Sequence, residues 1–168
     1  RPVEGFLQLI KSTDAKSAAK LIREYNLPRE CVPTNLLTEK VVWEALLEKM
    51  PMTAMLRNLP TMTRVGLLKP MSNAVSHVIA ALGNIDTLRK ARIHPLGILV
   101  ALTTYRGGYS IRGESTWQPL TRIIDALNDA FYLSFGTVEP TGKRTLLALD
   151  VSGSMDGGLI AGLPGITP

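Results

Sequence analysis

The sequence predicts a mainly α fold, built from short antiparallel helices, that gives way near its end to one buried strand and an oxygen-rich loop. Three observations carry this. Apolar residues recur at three- and four-residue steps in successive runs between Asp14 and Phe135. Prolines and capping residues punctuate those runs at short intervals. After Gly136 the pattern changes to a continuous apolar run of strand length, Thr145-Leu146-Leu147-Ala148-Leu149.

From Asp14 to Tyr25 the positions Ala15, Ala18, Ala19, Ile22 and Tyr25 form one helical face, with Thr13 or Asp14 available as N-cap. Thr38 can cap a second helix through Met50, carrying Val41, Val42, Ala45 and Leu46 opposite Glu44 and Glu48. Pro51 ends it and opens a third segment to Leu59, because proline fits a first helical turn and not an interior. A helix after Pro70 or Ser72 runs to Gly83, and a short one follows from Ile85 to Arg92. Pro95 opens a helix over Leu96 to Tyr105, apolar around most of its circumference and therefore expected at the centre of the packing. A polar loop spans Gly107 to Thr116, and Pro119 begins a helix to Phe135 with Leu120, Ile123, Ile124, Leu127 and Phe131 inward. Helices of this length joined by short turns pair antiparallel, as in an α-solenoid of HEAT-like repeats.

The charged fraction is 20%, the apolar fraction 45% and the net charge +5, values of a globular chain with a basic excess. The excess is concentrated. Between positions 57 and 112 eight basic residues (Arg57, Arg64, Lys69, Arg89, Lys90, Arg92, Arg106 and Arg112) face the single acid Asp86, so the flanks together are slightly acidic. Such a segment is either a solvated face or a phosphate-binding surface. Aromatics make up only 5% of the chain, which argues against recognition by base stacking and leaves phosphate contacts open. Cys31 is the single cysteine, so no internal disulfide is expected and a reducing, cytoplasmic setting is the expectation, nuclear also if the source is eukaryotic. Apolar stretches are interrupted by Pro, Gly or charge well short of a membrane span, and no membrane partner is expected. Arg1-Pro2 is an unusual opening for a whole protein, and the sequence reads as an internal stretch of a longer one.

The sharpest motif is Leu147-Ala148-Leu149-Asp150-Val151-Ser152-Gly153-Ser154, an apolar strand delivering Asp-x-Ser-x-Ser into a loop. A hard divalent cation takes oxygen ligands, and the hydroxyls of Ser152 and Ser154 with the carboxylate of Asp150 supply three. The motif resembles the first metal-ligand loop of von Willebrand A domains, where a threonine and an aspartate from later loops complete the site. Mg²⁺ is the cation implied, at a site this chain holds only in part. A polar turn after a strand is the alternative.

No enzyme is expected. A haloacid-dehalogenase-type phosphatase needs a second Asp where Ser152 stands, a nucleophile elbow needs Gly-x-Ser-x-Gly, and Thr141-Gly142-Lys143-Arg144 precedes the strand that a phosphate-binding loop must follow. His77 and His94 have no second imidazole or cysteine at ligand spacing. His94, just before Pro95, is expected to be a cap or a polar contact rather than a catalyst, and Trp43 and Trp117 are expected to anchor packing.

The order of five segments is recognisable. Trp43-Glu44-Ala45-Leu46-Leu47, Pro51-Met52-Thr53-Ala54-Met55-Leu56-Arg57-Asn58-Leu59, Lys90-Ala91-Arg92-Ile93-His94-Pro95, Val138-Glu139-Pro140-Thr141-Gly142-Lys143-Arg144 and Asp150-Val151-Ser152-Gly153-Ser154 resemble the Ro autoantigen family, from about Val3 to Met155. The resemblance implies a TROVE module of HEAT-like repeats closed into a ring by a von Willebrand A domain. It implies RNA binding in noncoding-RNA quality control, with Y RNAs on the outer surface and the single-stranded end of misfolded small RNA in the central hole. On that reading residues 1–136 are the C-terminal part of the RNA-binding module, 137–144 a connector and 145–168 the start of the A domain. The expected phosphate contacts are Arg57, Arg64, Arg89, Lys90 and Arg92, with Arg57 and Arg92 favoured because they lie in matching segments. The alternatives are a metal-dependent module that binds a protein partner at the ion, and a helical scaffold without RNA.

Overall fold

The computed structural model describes residues 2–110, 113–156 and 160. Arg112 of the basic segment, and all of the tail Leu159 to Pro168 but residue 160, lie outside the described residues. Eight α-helices occur among those described: α1 (Pro2–Leu9), α2 (Ala15–Tyr25), α3 (Lys40–Leu47), α4 (Met52–Arg64), α5 (Asn73–Leu82), α6 (Ile85–Lys90), α7 (Pro95–Gly107) and α8 (Thr121–Ser134). Short 3-10 turns lie at Arg29–Cys31, Thr34–Thr38, Phe135–Thr137 and Gly153–Asp156. The chain divides into two compact units, Arg1–Ala81 and Leu82–Pro168.

In the first unit α2 begins where its cap predicts, with Asp14 Oδ2 accepting the Ser17 N–H at 2.8 Å. It buries Ala18, Ala19 and Ile22 and packs on α3, which buries Val42, Trp43, Ala45, Leu46 and Leu47. Helix α1 was not legible in the sequence. Gly5 lies mid-helix, and a Cβ there would collide with the Tyr25 ring, so close helix packing explains a residue that otherwise reads as a breaker. Thr38 does not cap α3. Its hydroxyl donates to Asn35 O at 2.9 Å, closing the preceding 3-10 turn, and the Trp43 indole N–H donates to Leu37 O at 2.8 Å and pins that turn to the helix.

Helix α4 runs through Pro60, five residues beyond the expected end at Leu59. Proline in a helix interior costs ~3 kcal/mol through its missing N–H and its ring. Met62, Leu67 and Leu68, all beyond Pro60, are buried, at roughly 1.5–3 kcal/mol each, so continuing the helix prevails. Asn58 and Thr63 side chains donate to Ala54 O and Leu59 O in this stretch.

In the second unit α7 and α8 pack together, burying Ile98, Leu102 and Tyr105 from one and Ile123, Ala126, Leu127 and Ala130 from the other. Despite its apolar circumference α7 is covered on one face, with Leu96 exposed. Its C-terminus is closed by Gly108 at φ 73°, by the Trp117 indole N–H donating to Tyr105 O at 2.9 Å, and by the Tyr105 hydroxyl accepting the Leu120 N–H at 3.3 Å. Tyr109 and Thr116 form an isolated antiparallel bridge across the polar loop. Helix α6 packs on α8 and on the Phe135–Thr137 turn, whose Thr137 hydroxyl reaches Ile93 O at 3.2 Å.

No strand forms over Thr145 to Leu149 among the described residues, and Leu146, Leu147, Leu149 and Val151 are exposed. The physical reason is that a strand exists only through ladder hydrogen bonds to a neighbour, and no neighbouring strand lies among the described residues.

The Ser17 backbone N–H, and after it the Ser17 hydroxyl, hold the Asp14 carboxyl below its ordinary value. A depressed carboxyl adds stability that is full above the ordinary pKa and lost as pH falls through the lowered one. Asp14→Asn keeps a cap that does not titrate. Thermal unfolding followed between pH 7 and about pH 3 should show a smaller acid-induced fall in Tm for Asp14→Asn than for the wild type; equal falls would remove Asp14 from the acid response.

Candidate nucleic-acid interface

Continuation of α4 through Pro60 has a consequence for the cations. Arg57 and Arg64 stand seven residues apart on one helix, hence on nearly the same face and about 10.5 Å apart along the axis. Both are exposed. Had the helix stopped at Leu59, nothing in the local chain would align them.

Arg57 also lines a cleft of about 310 Å³ between the end of α2, the end of α3 and the start of α4. Arg29 and Lys49 line the same cleft, and the Arg23–Glu48 ion pair at 2.7 Å, with Glu30, supplies its other charges. Arg29 and Lys49 were not legible as partners of Arg57. They lie in a 3-10 turn and after a helix end, and only the return of the chain between α2 and α4 brings them together.

The second group sits in the other unit, at the C-terminal end of α6. Arg89 and Lys90 occupy its last turn and Arg92 follows two residues later, all exposed. Arg89 pairs with Asp86 one turn back at 3.7 Å. Among the described residues Arg57, Lys90 and Arg92 form no ion pair. Thus Arg57 and Arg64 share a helix face, Arg89, Lys90 and Arg92 share a helix end, and the two sets belong to separate compact units.

His94 caps α7, its Nδ1 accepting the Leu96 N–H at 3.2 Å, and His77 is exposed on α5. Trp43 is fully buried and Trp117 half-buried, each with its indole N–H on a carbonyl, so neither is a free stacking platform.

The three oxygen-bearing side chains of the Asp-x-Ser-x-Ser loop lie close together. Asp150 Oδ1 accepts the Ser152 N–H at 2.9 Å, and the Ser152 and Ser154 hydroxyls lie 2.9 Å apart. The Ser152 backbone N–H, then its hydroxyl, hold the Asp150 carboxyl below its ordinary value, so it is ionised at neutral pH. One carboxylate and two hydroxyls suit a hard cation in type and fall short of the roughly six ligands Mg²⁺ takes. Among the described residues no three His, Cys, Asp or Glu side chains gather as a metal cluster, and no helix is long and apolar enough to cross a membrane.

A TROVE domain model matches residues 15–106. The RNA-binding protein RO60 of Deinococcus radiodurans is 45% identical over 169 residues, covering 100% of this chain and 32% of that protein. The RNA-binding protein RO60 of Caenorhabditis elegans is 44% identical over 154 residues, covering 91% of this chain and 24% of its own length. The crystal structure of the Deinococcus radiodurans RO (RSR) protein superposes with a TM-score of 0.90 at 45% identity, over 99% of this chain and 34% of that one. The chain therefore spans about a third or less of the length of these relatives.

Exposed cations that form no ion pair among the described residues should contribute little to stability. Arg57→Gln and Lys90→Gln should each change unfolding free energy by less than about 0.5 kcal/mol, measured as the denaturant midpoint; a loss above about 1 kcal/mol would make that side chain structural.

Proposed function

The chain belongs to the TROVE domain family, and from that premise we propose that it is an RNA-binding, non-catalytic segment of a Ro-type protein. The observation that carries this reading is the set of exposed cations Arg57, Lys90 and Arg92, which have no ion-pair partner among the described residues. Arg64 and Arg89 lie on the same helix face and helix end as these. Cations held on rigid helices at spacings of several ångströms suit a phosphate backbone, and neutralising phosphates releases counterions. The relatives are named RNA-binding proteins, which points the same way. Y RNAs and misfolded small noncoding RNAs are the partners the family resemblance suggests.

Residues 145–154 are the first strand and metal loop of a von Willebrand A domain in this reading. The close oxygens of Asp150, Ser152 and Ser154 support it, as does an exposed apolar run that would be buried on both faces in a parallel sheet. Mg²⁺ bound there would present an open coordination position to an acidic group of a protein partner. Asp150 would supply the charge and the two serines the neutral ligands.

Two measurements test the pair of readings. If about four phosphates are neutralised on single-stranded RNA, log affinity should fall with log salt at a slope near −3, shallower by about 0.7 for each contact removed. Arg57→Gln in the full-length protein should show that shallower slope on an unstructured oligonucleotide; unchanged affinity and slope would make Arg57 a solvated side chain.

For the metal, calorimetry should find Mg²⁺ binding weak or absent in the 168-residue chain and measurable in a chain that includes a whole A domain. There, Ser152→Ala with Ser154→Ala should abolish it, and retention of tight binding would refute the ligand assignment.

A further inference from the structure

Three helices end in the same backbone device. After α2, α4 and α6 the chain enters the left-handed region for one residue, and the next N–H reaches back five residues to a helix carbonyl: Leu27 to Ile22 O at 3.1 Å, Leu67 to Met62 O at 3.0 Å and Ile93 to Leu88 O at 3.0 Å. The left-handed residues are Asn26 at φ 52°, Gly66 at φ 75° and Arg92 at φ 52°. Glycine and asparagine are what this position favours, because a Cβ with a longer chain crowds the following carbonyl. Arginine is not.

Positive φ alone assigns no role, since Met71 adopts it in the turn after Pro70. The setting of Arg92 is different in three respects. Its turn is held firmly: Arg92 N–H donates to Arg89 O at 3.0 Å, Ile93 is buried, the Thr137 hydroxyl reaches Ile93 O, and α7 begins two residues on. Its side chain is exposed and has no ion-pair partner among the described residues. Arg89 and Lys90 already place two cations at the negative end of α6, so the helix dipole does not call for a third beyond it. At α2 and α4 the last-turn cations Arg23 and Arg64 come with an uncharged residue in the left-handed position.

We propose that the turn closing α6 is a phosphate-binding turn for single-stranded RNA, with Arg92 kept in a disfavoured backbone conformation because its guanidinium binds the ligand. This rests on the RNA-binding reading and deepens it. A rigid turn places one planar cation beside Lys90 and the Asp86-paired Arg89. The guanidinium fork bonds two oxygens of one phosphate, and the neighbouring charges take the flanking ones.

The distinguishing property is that fold stability and RNA affinity move in opposite directions. Arg92→Gly and Arg92→Asn in the full-length protein should leave Tm equal or raise it, by about 1–4 °C. Both should weaken binding of a single-stranded polyuridine oligonucleotide about tenfold at low salt and make the salt slope shallower by about 0.7. Arg92→Lys, which keeps the charge, should hold the wild-type slope. Unchanged affinity in Arg92→Gly and Arg92→Asn overturns the proposal, and so does a Tm lowered by several degrees in both, which would make the side chain part of the fold. If the wild type shows no salt-dependent binding, the RNA reading itself fails. If Arg57→Gln weakens binding while the Arg92 variants do not, only the assignment of this turn is lost.

Discussion

A short helix must dispose of carbonyls that no longer have an intrahelical donor, and at three helix ends of this chain a left-handed turn satisfies them and sets where the chain goes next. At the ends of α2, α4 and α6 the same closure places the following residue, Leu27, Leu67 or Ile93, in the core. One backbone conformation thus reverses the chain, satisfies polar groups that burial would otherwise penalise and contributes an apolar side chain to the packing. The direction in which the chain leaves α2, α4 and α6 follows from these closures, and Arg92 takes its place from the last of them. Helix α7 ends in a different closure, made by Gly108 together with the indole of Trp117 and the hydroxyl of Tyr105.

Much of the helical architecture was legible because it is written in short-range chemistry. Asp14 accepts the N–H three residues on, His94 caps α7, the apolar spacing of α2 matches the buried Ala18, Ala19 and Ile22, and of the five residues expected inward on α8 Ile123 and Leu127 are buried, with Ala126, Ala130 and Ser134 beside them. What was not legible depended on contacts distant in sequence. Gly5 is a helix residue because Tyr25 needs its space, Thr38 serves the turn before α3 because Trp43 fastens that turn, and Pro60 is tolerated because Met62, Leu67 and Leu68 find a core. In each case packing overrode a local preference of a few kcal/mol or less, the scale on which propensities operate.

The same division runs through the candidate sites. Individual cations could be read directly, whereas the cleft that joins Arg57 to Arg29 and Lys49 could not, since its walls come from α2, the 3-10 turn after it, α3 and α4. The Asp-x-Ser-x-Ser loop shows the opposite case. Its local hydrogen bonds form without help, from Ser152 N–H to Asp150 and between the two hydroxyls, although the apolar run before it pairs with no strand among the described residues. Loop chemistry that spans two residues survives where a sheet does not, because one is closed by neighbours in sequence and the other by neighbours in space.

Charge by itself is a poor guide to which cations matter, and this chain shows why. Arg23 is tied to Glu48, Lys40 to Glu44 and Arg89 to Asp86, and cations in a last helical turn also favour the helix's own dipole. All of these have a role within the fold, although exposed pairs of this kind contribute little, about 0–1 kcal/mol each. A cation becomes informative when the fold offers it no partner or when it occupies a position better suited to another residue. Arg57 meets the first condition, on a helix whose buried face lies elsewhere. Arg92 meets both, and there the sequence departs from what the local backbone would select.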